Sequence, residues 1–293
     1  MRRAALIYNP AAGRRRAEGL LEALVGALAA GGWRVEAMPT GGPGRATVLA
    51  RELAAAGRVE VVFALGGDGT LREVGEGLLG SDVALGPLPG GTTNVLVRAL
   101  GLPPQPLAAA RVLAGGRRQP LNVGFCGATP FLMMVSAGLD AAVVSDLSGE
   151  LKARWGRAAV VAQGMSAWWR YRFPRVAARW PSGEAEGVFA CVCNIPLYGG
   201  FAMMPGARFD DDLLDLVLLR TGGRTAALAF AADLLRGRHL ARGDVITATA
   251  TEFELGGPPE LPLQVDGDHC REILPVRVRL GEERLQVLVA DAP

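Results

Sequence analysis

Val61-Val-Phe-Ala-Leu-Gly-Gly-Asp-Gly-Thr70, followed by Leu71-Arg-Glu-Val-Gly-Glu-Gly-Leu-Leu79, decides most of the reading. A short apolar run meets three glycines around one aspartate, then a helix-like stretch. A strand that ends in a glycine-rich turn and feeds a helix is a ready anion site. The first N–H groups of a helix lack intrahelical partners, and the helix dipole favours negative charge there. Glycine also lets the backbone approach a phosphate closely. Asp68 stands out, because a carboxylate beside phosphates repels them unless a cation or a transferable proton lies between. Such a turn suits a nucleotide phosphate with Mg²⁺, or a hydroxyl about to attack phosphate. A tight βα turn with an N-cap aspartate is the other reading.

The chain has 293 residues, which suggests two domains, and 50% of them are hydrophobic, ample for two cores. The formal charge of +2 and the lack of interleaved basic and aromatic motifs point away from nucleic acid. Lys152 is the only lysine and G-x-x-x-x-G-K-[ST] is absent, so chemistry built on a phosphate lysine or a Schiff base is disfavoured. Cys126, Cys191, Cys193 and Cys270 have no zinc spacing and read as buried thiols in a reducing, cytoplasmic compartment. The short apolar run Ala4–Tyr8 does not read as a signal peptide. The longest uncharged stretches, 119–139 and 187–207, carry Asn, Pro and Gly and are not spanning helices.

Up to residue 115, strand and helix signals alternate. Strands are expected at 4–8, 33–38, 59–65 and 83–88, and helices at 15–30, 45–56, 70–79 and 94–114, the last broken at Pro103-Pro104. This predicts an α/β fold, a Rossmann-like parallel sheet with helices on both faces. Ligands of such sheets lie beyond the C-terminal strand ends. Three turns fall there: Asn9-Pro-Ala-Ala-Gly13, Gly66-Gly-Asp-Gly-Thr70 and Pro89-Gly-Gly-Thr-Thr-Asn94.

Beyond Pro120, strand-like runs dominate: 121–125, 130–136, 175–180, 187–195, 214–219, 244–255, 261–265 and 274–280. Thr247, Thr249 and Thr251 alternate with Ile246, Ala248 and Ala250, the period of a sheet with one wet face. Helices are expected near 150–171 and 223–236. We read residues 1–120 as one domain and 121–280 as a mainly antiparallel β domain. The last run, 284–290, either finishes that sheet or returns, with 281–293, to the first domain.

The strand-GGDGT-helix turn is shared by phosphofructokinases, NAD kinases and diacylglycerol/sphingosine-type lipid kinases. Further segments choose among them. Tyr8-Asn-Pro-Ala-Ala-Gly13 resembles the opening NPxSG turn of the lipid kinases. Pro89-Gly-Gly-Thr-Thr-Asn94 with Arg98-Ala-Leu-Gly-Leu102 resembles their P-x-G-T-x-N…A-R-x-L-G segment. Tyr198–Asp215 is similar to their GG…P-x-A…D-D-G-x-L-D segment, and Val265-Asp-Gly-Asp268 to their late (V/L)-D-G-E turn. The ordered matches span residues 8 to 268. The chain resembles a bacterial member of the diacylglycerol kinase catalytic-domain family.

The resemblance implies an ATP-binding α/β domain and a C-terminal β-sandwich for the lipid, with ATP and headgroup meeting in a cleft. It assigns ATP contacts to Asn9, Gly13, Thr40, Gly66, Gly67, Asp68, Gly69, Thr70, Leu71, Arg72, Thr92 and Asn94. Asp68 would act through Mg²⁺ on the phosphates, and Asp268 would stand where the family has its general base, usually glutamate. A separate Mg²⁺ site would use the backbone carbonyls of Arg208 and Leu213 and the carboxylate of Asp211. The implied partners are ATP and a lipid substrate, with room for a homodimer and for peripheral contact at the inner membrane face.

Several positions depart from the pattern. Ala12 replaces a serine, Arg72 an asparagine, Val95 an aspartate and Asp212 a glycine, and Asp268 is one methylene shorter than glutamate. A left-handed backbone at Asp212 would be strained. Asp266-Gly267 by itself reads as a two-residue hairpin turn, Asp210-Asp-Asp212 as a solvated acidic loop, and His269 as a turn neighbour that could also touch the site.

Four of the five tryptophans lie between 155 and 180, among Arg154, Arg157, Arg170, Arg172, Arg175 and Arg179. That composition fits either docking to an anionic membrane or a helix packed on the sandwich with a solvated basic face. The competing functions are a soluble kinase of the NAD kinase and phosphofructokinase type, and a non-catalytic nucleotide- or lipid-binding regulator.

Overall fold

The computed structural model describes residues 1–10, 17–146 and 168–291. It divides into two compact units, one of residues 1–123 and 282–293 and one of residues 124–281.

The first unit is built on parallel strands β1 (Arg2–Tyr8), β2 (Trp33–Pro39), β3 (Val61–Gly66) and β4 (Ala84–Pro89) in the order β2-β1-β3-β4. β3 and β4 read as near-continuous apolar runs because helices cover both faces of the sheet. Helix α1 (Ala17–Ala30) packs with α5 (Pro106–Ala114), and α2 (Arg45–Ala56) with α3 (Asp68–Leu78). Gly77 permits the second pairing, since a Cβ there would lie 2.4 Å from the Thr47 carbonyl oxygen. Between α3 and α5 runs the short α4 (Val95–Ala99), and Pro103-Pro104 breaks the two apart as expected.

One arginine closes two helix ends in this unit. Arg2 donates to the carbonyls of Gly31 and Ala114, each 2.9 Å away, and lies 4.0 Å over the Trp33 ring. Trp33 Nε1 donates to the same Ala114 carbonyl at 3.0 Å. A cation at two C-termini satisfies orphan carbonyls and opposes both dipoles.

The second unit is an antiparallel β-sandwich. One layer runs β14 (Val245–Ala250), β13 (Leu214–Leu219), β10 (Phe189–Cys193), β7 (Met134–Ala137), β16 (Leu263–Val265), β17 (Asp268–Cys270). The other pairs β18 (Val276–Val289) with β15 (Glu252–Gly256), then β8 (Val176–Trp180) and β9 (Gly183–Gly187). β5 (Arg117–Cys126) pairs with β6 (Thr129–Phe131). Phe131, Val176, Phe253 and Val278 from this layer meet Val135, Val192, Leu216 and Leu263 from the first. Of the remaining elements, β11 (Leu197–Tyr198) and β12 (Phe201–Ala202) form a small ribbon, and α6 (Leu139–Asp146) and α7 (Arg224–Leu235) are helices. All four cysteines are buried thiols.

The structure corrects several element expectations. Residues 244–255 form two strands, since Thr251 turns the chain from β14 in one layer to β15 in the other. The threonines of β14 do face water, as the period predicted. The runs 274–280 and 284–290 are one strand, β18, whose residues from Glu282 onward belong to the first unit, where Val287 pairs in parallel with Leu85. Residues 130–136 break at Leu132-Met133, whose N–H groups bond a side chain instead of a strand. Helix α6 and strand β9 were not expected. Most of the expected 150–171 helix lies outside the described residues.

Candidate active site

The nucleotide-type residues gather at the C-terminal ends of the parallel strands. Thr40 N–H donates to the Tyr8 carbonyl at 2.8 Å, and Asn9 N–H to the Leu65 carbonyl at 3.3 Å, so the ends of β1, β2 and β3 are stitched side by side. Gly67 is the N-cap of α3 with φ −81° and ψ 179°, and Asp68, Gly69 and Thr70 form the first turn. Thr70 and Leu71 N–H groups bond back to the Gly67 carbonyl at 2.9 and 3.1 Å. The start of this helix is therefore a tight, dipole-positive end that follows an apolar strand.

A second glycine turn lies against the first. Gly90 N–H donates to the Gly66 carbonyl at 2.8 Å. A Cβ on Gly91 would sit 2.6 Å from Gly67 Cα, and one on Gly90 would sit 2.8 Å from Gly66 N. The two main chains touch, and only glycine permits it. Asn94 closes the second turn in a left-handed conformation (φ 48°), its carboxamide bonding both the N–H (2.8 Å) and the carbonyl (3.0 Å) of Gly91. Because Asn94 is so engaged, it makes no side-chain cap for α4. Asp68 does that work: its Oδ1 accepts the N–H of Leu96 at 3.1 Å.

Thr92 is exposed on this second turn, and Arg72 is half-buried on α3. Gly13 and Ala12 lie outside the described residues. Val95 is core, 5% exposed, so the position where the family pattern has an aspartate adds packing here and no charge. Glu73 carries a role the sequence did not reveal: its carboxylate accepts Gly44 N–H (2.9 Å) and Ala46 N–H (3.2 Å) and so caps α2.

In the second unit, Asp266 and Gly267 are the two-residue loop between β16 and β17, with Val265 opposite Asp268. Both loop residues have positive φ, 52° and 86°, which is the I′ geometry that Asp-Gly favours. The hairpin reading of this dipeptide holds. Sequence reasoning missed what the Asp266 carboxylate does. It is buried, and accepts the N–H groups of Leu132 (2.8 Å), Met133 (2.9 Å) and Met134 (2.9 Å). The next acid, Asp268, is exposed at the start of β17, as is His269.

The acidic loop precedes β13. Asp212 has φ 61°, the left-handed conformation anticipated where the family has glycine, and one that aspartate tolerates better than most residues. Asp211 Oδ1 accepts Leu213 N–H at 3.1 Å, and Asp210 pairs with Arg208 at 3.2 Å. Among the described residues, no group of three or more His, Cys, Asp and Glu side chains is arranged to hold a metal ion.

These two units match known proteins. Residues 3–126 match the diacylglycerol kinase catalytic domain, and residues 133–289 match the YegS C-terminal NAD kinase beta sandwich-like domain. The chain is 29% identical over 275 residues to a diacylglycerol kinase of Bacillus subtilis (strain 168), covering 92% of this chain and 90% of that one. It is 32% identical over 237 residues to a Chromohalobacter salexigens protein named "Probable lipid kinase YegS-like", covering 76% and 73%. A solved structure of a diacylglycerol kinase from Bacillus anthracis strain Sterne superposes with a TM-score of 0.80 at 25% identity, covering 98% of this chain and 96% of that one. The matched family and the relatives named as kinases thus define a phosphotransferase with an alcohol acceptor. The chain belongs to the diacylglycerol kinase catalytic-domain family, with a YegS-type second domain.

Proposed function

We propose that this protein is an ATP-dependent lipid kinase that moves the γ-phosphate to a hydroxyl of a diacylglycerol- or sphingosine-like lipid. The observation that carries this is the pair of glycine turns at 66–67 and 90–91, packed main chain to main chain at the start of α3. An approach that close leaves backbone N–H groups and a positive helix end as the surface offered to a phosphate tail. Residues 1–120, with Asn9, Thr40, Thr92 and Asn94 at the strand ends, form the nucleotide side, and residues 121–280 the lipid side.

Asp68 is half-buried at the first turn of α3, a hard carboxylate oxygen at a phosphate-type site, and that donor chemistry fits Mg²⁺. When bound, the ion neutralises charge on the phosphates. The chain's own part is to hold the tail by amides, with Arg72 and Arg98 supplying the cations that the scarce lysine does not. Asp268, exposed beyond its hairpin, accepts the proton of the attacking lipid hydroxyl, a step that typically contributes about 10²–10⁴-fold. The 208–213 loop is the second cation site of this reading, holding its ion by the Arg208 and Leu213 carbonyls and Asp211.

A cytoplasmic protein acting on lipid must meet a membrane face. Among the described residues, no helix is long and apolar enough to cross one. Helix α7 instead exposes Leu228 (59%) and Leu235 (66%), and Trp169 is 65% exposed, with the Arg224 guanidinium 5.2 Å over its ring. Arg224 at the start of α7 and Arg236 and Arg238 just after it are exposed as well. Exposed apolar side chains close in sequence to arginines suit an anionic lipid surface.

Incubation with labelled ATP, Mg²⁺ and total membrane lipids tests the reading, with the product identified by mass. A phosphorylated lipid is expected. A protein that binds ATP and labels no lipid, or labels only water-soluble alcohols, would overturn it.

A further inference from the structure

Gln264 lies on β16 and is fully buried. Its Nε2 donates to Ser136 Oγ at 2.8 Å and reaches Asp140 Oδ2 at 3.4 Å. The Ser136 hydroxyl and Asp140 Oδ2 are themselves hydrogen-bonded, and Tyr198 OH donates to that same oxygen at 2.6 Å. With its amino group committed to these acceptors, the amide can turn only its oxygen the other way. Gln264 Oε1 accepts the N–H of Gly267 at 2.7 Å. A flipped amide would set oxygen against oxygen on one side and N–H against N–H on the other.

A hydrogen-bonded path therefore runs from Asp140 through Gln264 to Gly267, the residue before Asp268. The loop is gripped twice, by Gln264 at Gly267 and by Asp266 through the three N–H groups of residues 132–134. An Asp-Gly loop of I′ geometry forms readily without such help. Burying a carboxylate is also costly, and burial pushes the Asp140 carboxyl up while Ser136, Tyr198 and Gln264 pull it down. Buried polar clusters are often no more stabilising than well-packed apolar residues of similar volume, so stability alone does not account for this one.

We propose that Asp140 and Gln264 are positioning residues that fix the direction in which the Asp268 carboxylate leaves its hairpin. This rests on reading Asp268 as the base for the lipid hydroxyl. Neither residue touches the reacting atoms, and both act through the Gly267 N–H.

The test is a double-mutant cycle on purified enzyme, with kcat on diacylglycerol, KM for ATP and circular dichroism as readouts. Gln264→Leu should lower kcat about 10–100-fold, the scale of a small misplacement, with KM for ATP and the folded signal unchanged. In an Asp268→Asn background the same change should cost nothing further, because the group being aimed is gone. An equal loss in both backgrounds, or no loss in either, would overturn the proposal. Asp140→Asn, which keeps the side-chain shape, enters the same cycle should Gln264→Leu unfold. Full turnover in Asp268→Asn alone strikes the base assignment itself. Slow Asp268→Asn with normal Gln264→Leu strikes only the positioning.

Discussion

The carboxylate of Asp68 caps a helix other than its own: its Oδ1 takes the N–H of Leu96, 28 residues further along, at 3.1 Å. The acid proposed to serve the phosphates is thus also the clasp between the two glycine turns. Those roles separate by substitution. Asp68→Asn keeps an oxygen for Leu96 and should hold its urea midpoint near wild type while turnover falls about 10²-fold or more. Asp68→Ala loses the cap as well, and should cost about 1 kcal/mol of stability in addition. Full turnover in Asp68→Asn would remove Asp68 from the chemistry.

Asp266 and Asp268 should behave as opposites. Asp266→Ala leaves three backbone N–H groups buried without their acceptor and forces alanine to φ 52°, so denaturant unfolding should show a loss of about 3 kcal/mol or more. Asp266→Gly restores the backbone freedom and should recover only a part of that. Asp268→Asn should unfold like wild type and fail in turnover.

Arg242 offers a pH test. It donates to Asp233 (2.7 Å) and grips Asp244 with two bonds of 2.8 and 2.9 Å. The Arg242 guanidinium holds the Asp244 carboxyl below the usual carboxylate range. A depressed folded-state pKa means the stabilisation is present above the ordinary value near 4 and is lost as pH falls through the folded value. Arg242→Ala should cost about 1 kcal/mol at pH 7. The gap from wild type should narrow as unfolding is repeated at pH values falling below 4. A gap unchanged at acid pH would contradict this.

Flotation with vesicles tests the docking face. Wild type should rise with phosphatidylglycerol vesicles at low salt, less at high salt and little with phosphatidylcholine. Leu228→Asp/Leu235→Asp and Trp168→Ala/Trp169→Ala should each stay at the bottom more than wild type, yet still phosphorylate a short-chain, dispersed diacylglycerol. Equal partitioning of all three proteins would end the assignment.

The parts of the molecule written in local sequence were legible. The apolar run before Gly66, the helical stretch after it and the Asp266-Gly267 hairpin each follow from neighbouring residues, and each stands where expected. What stayed hidden is carried by distant partners. Glu73 caps α2 from 27 residues away, and Asp266 reaches back more than 130 to residues 132–134. No local pattern announces such pairs. Continuity also misleads: 244–255 reads as one run, yet its alternation slips where Thr251 and Glu252 are both polar, and there the chain passes between sheets. Val95 shows the limit of a family pattern, since the chain supplies core where that pattern has an acid.

The pairing of Val287 with Leu85 has a consequence during synthesis. β4 is buried along its length, and its neighbour on this side is built from residues far along the chain. A nascent chain in which residues 282–289 have yet to appear carries an open, greasy sheet edge at β4. Deleting residues 282–289 should therefore harm the first unit more than the sandwich, and chaperones would meet this polypeptide chiefly at that unfinished edge.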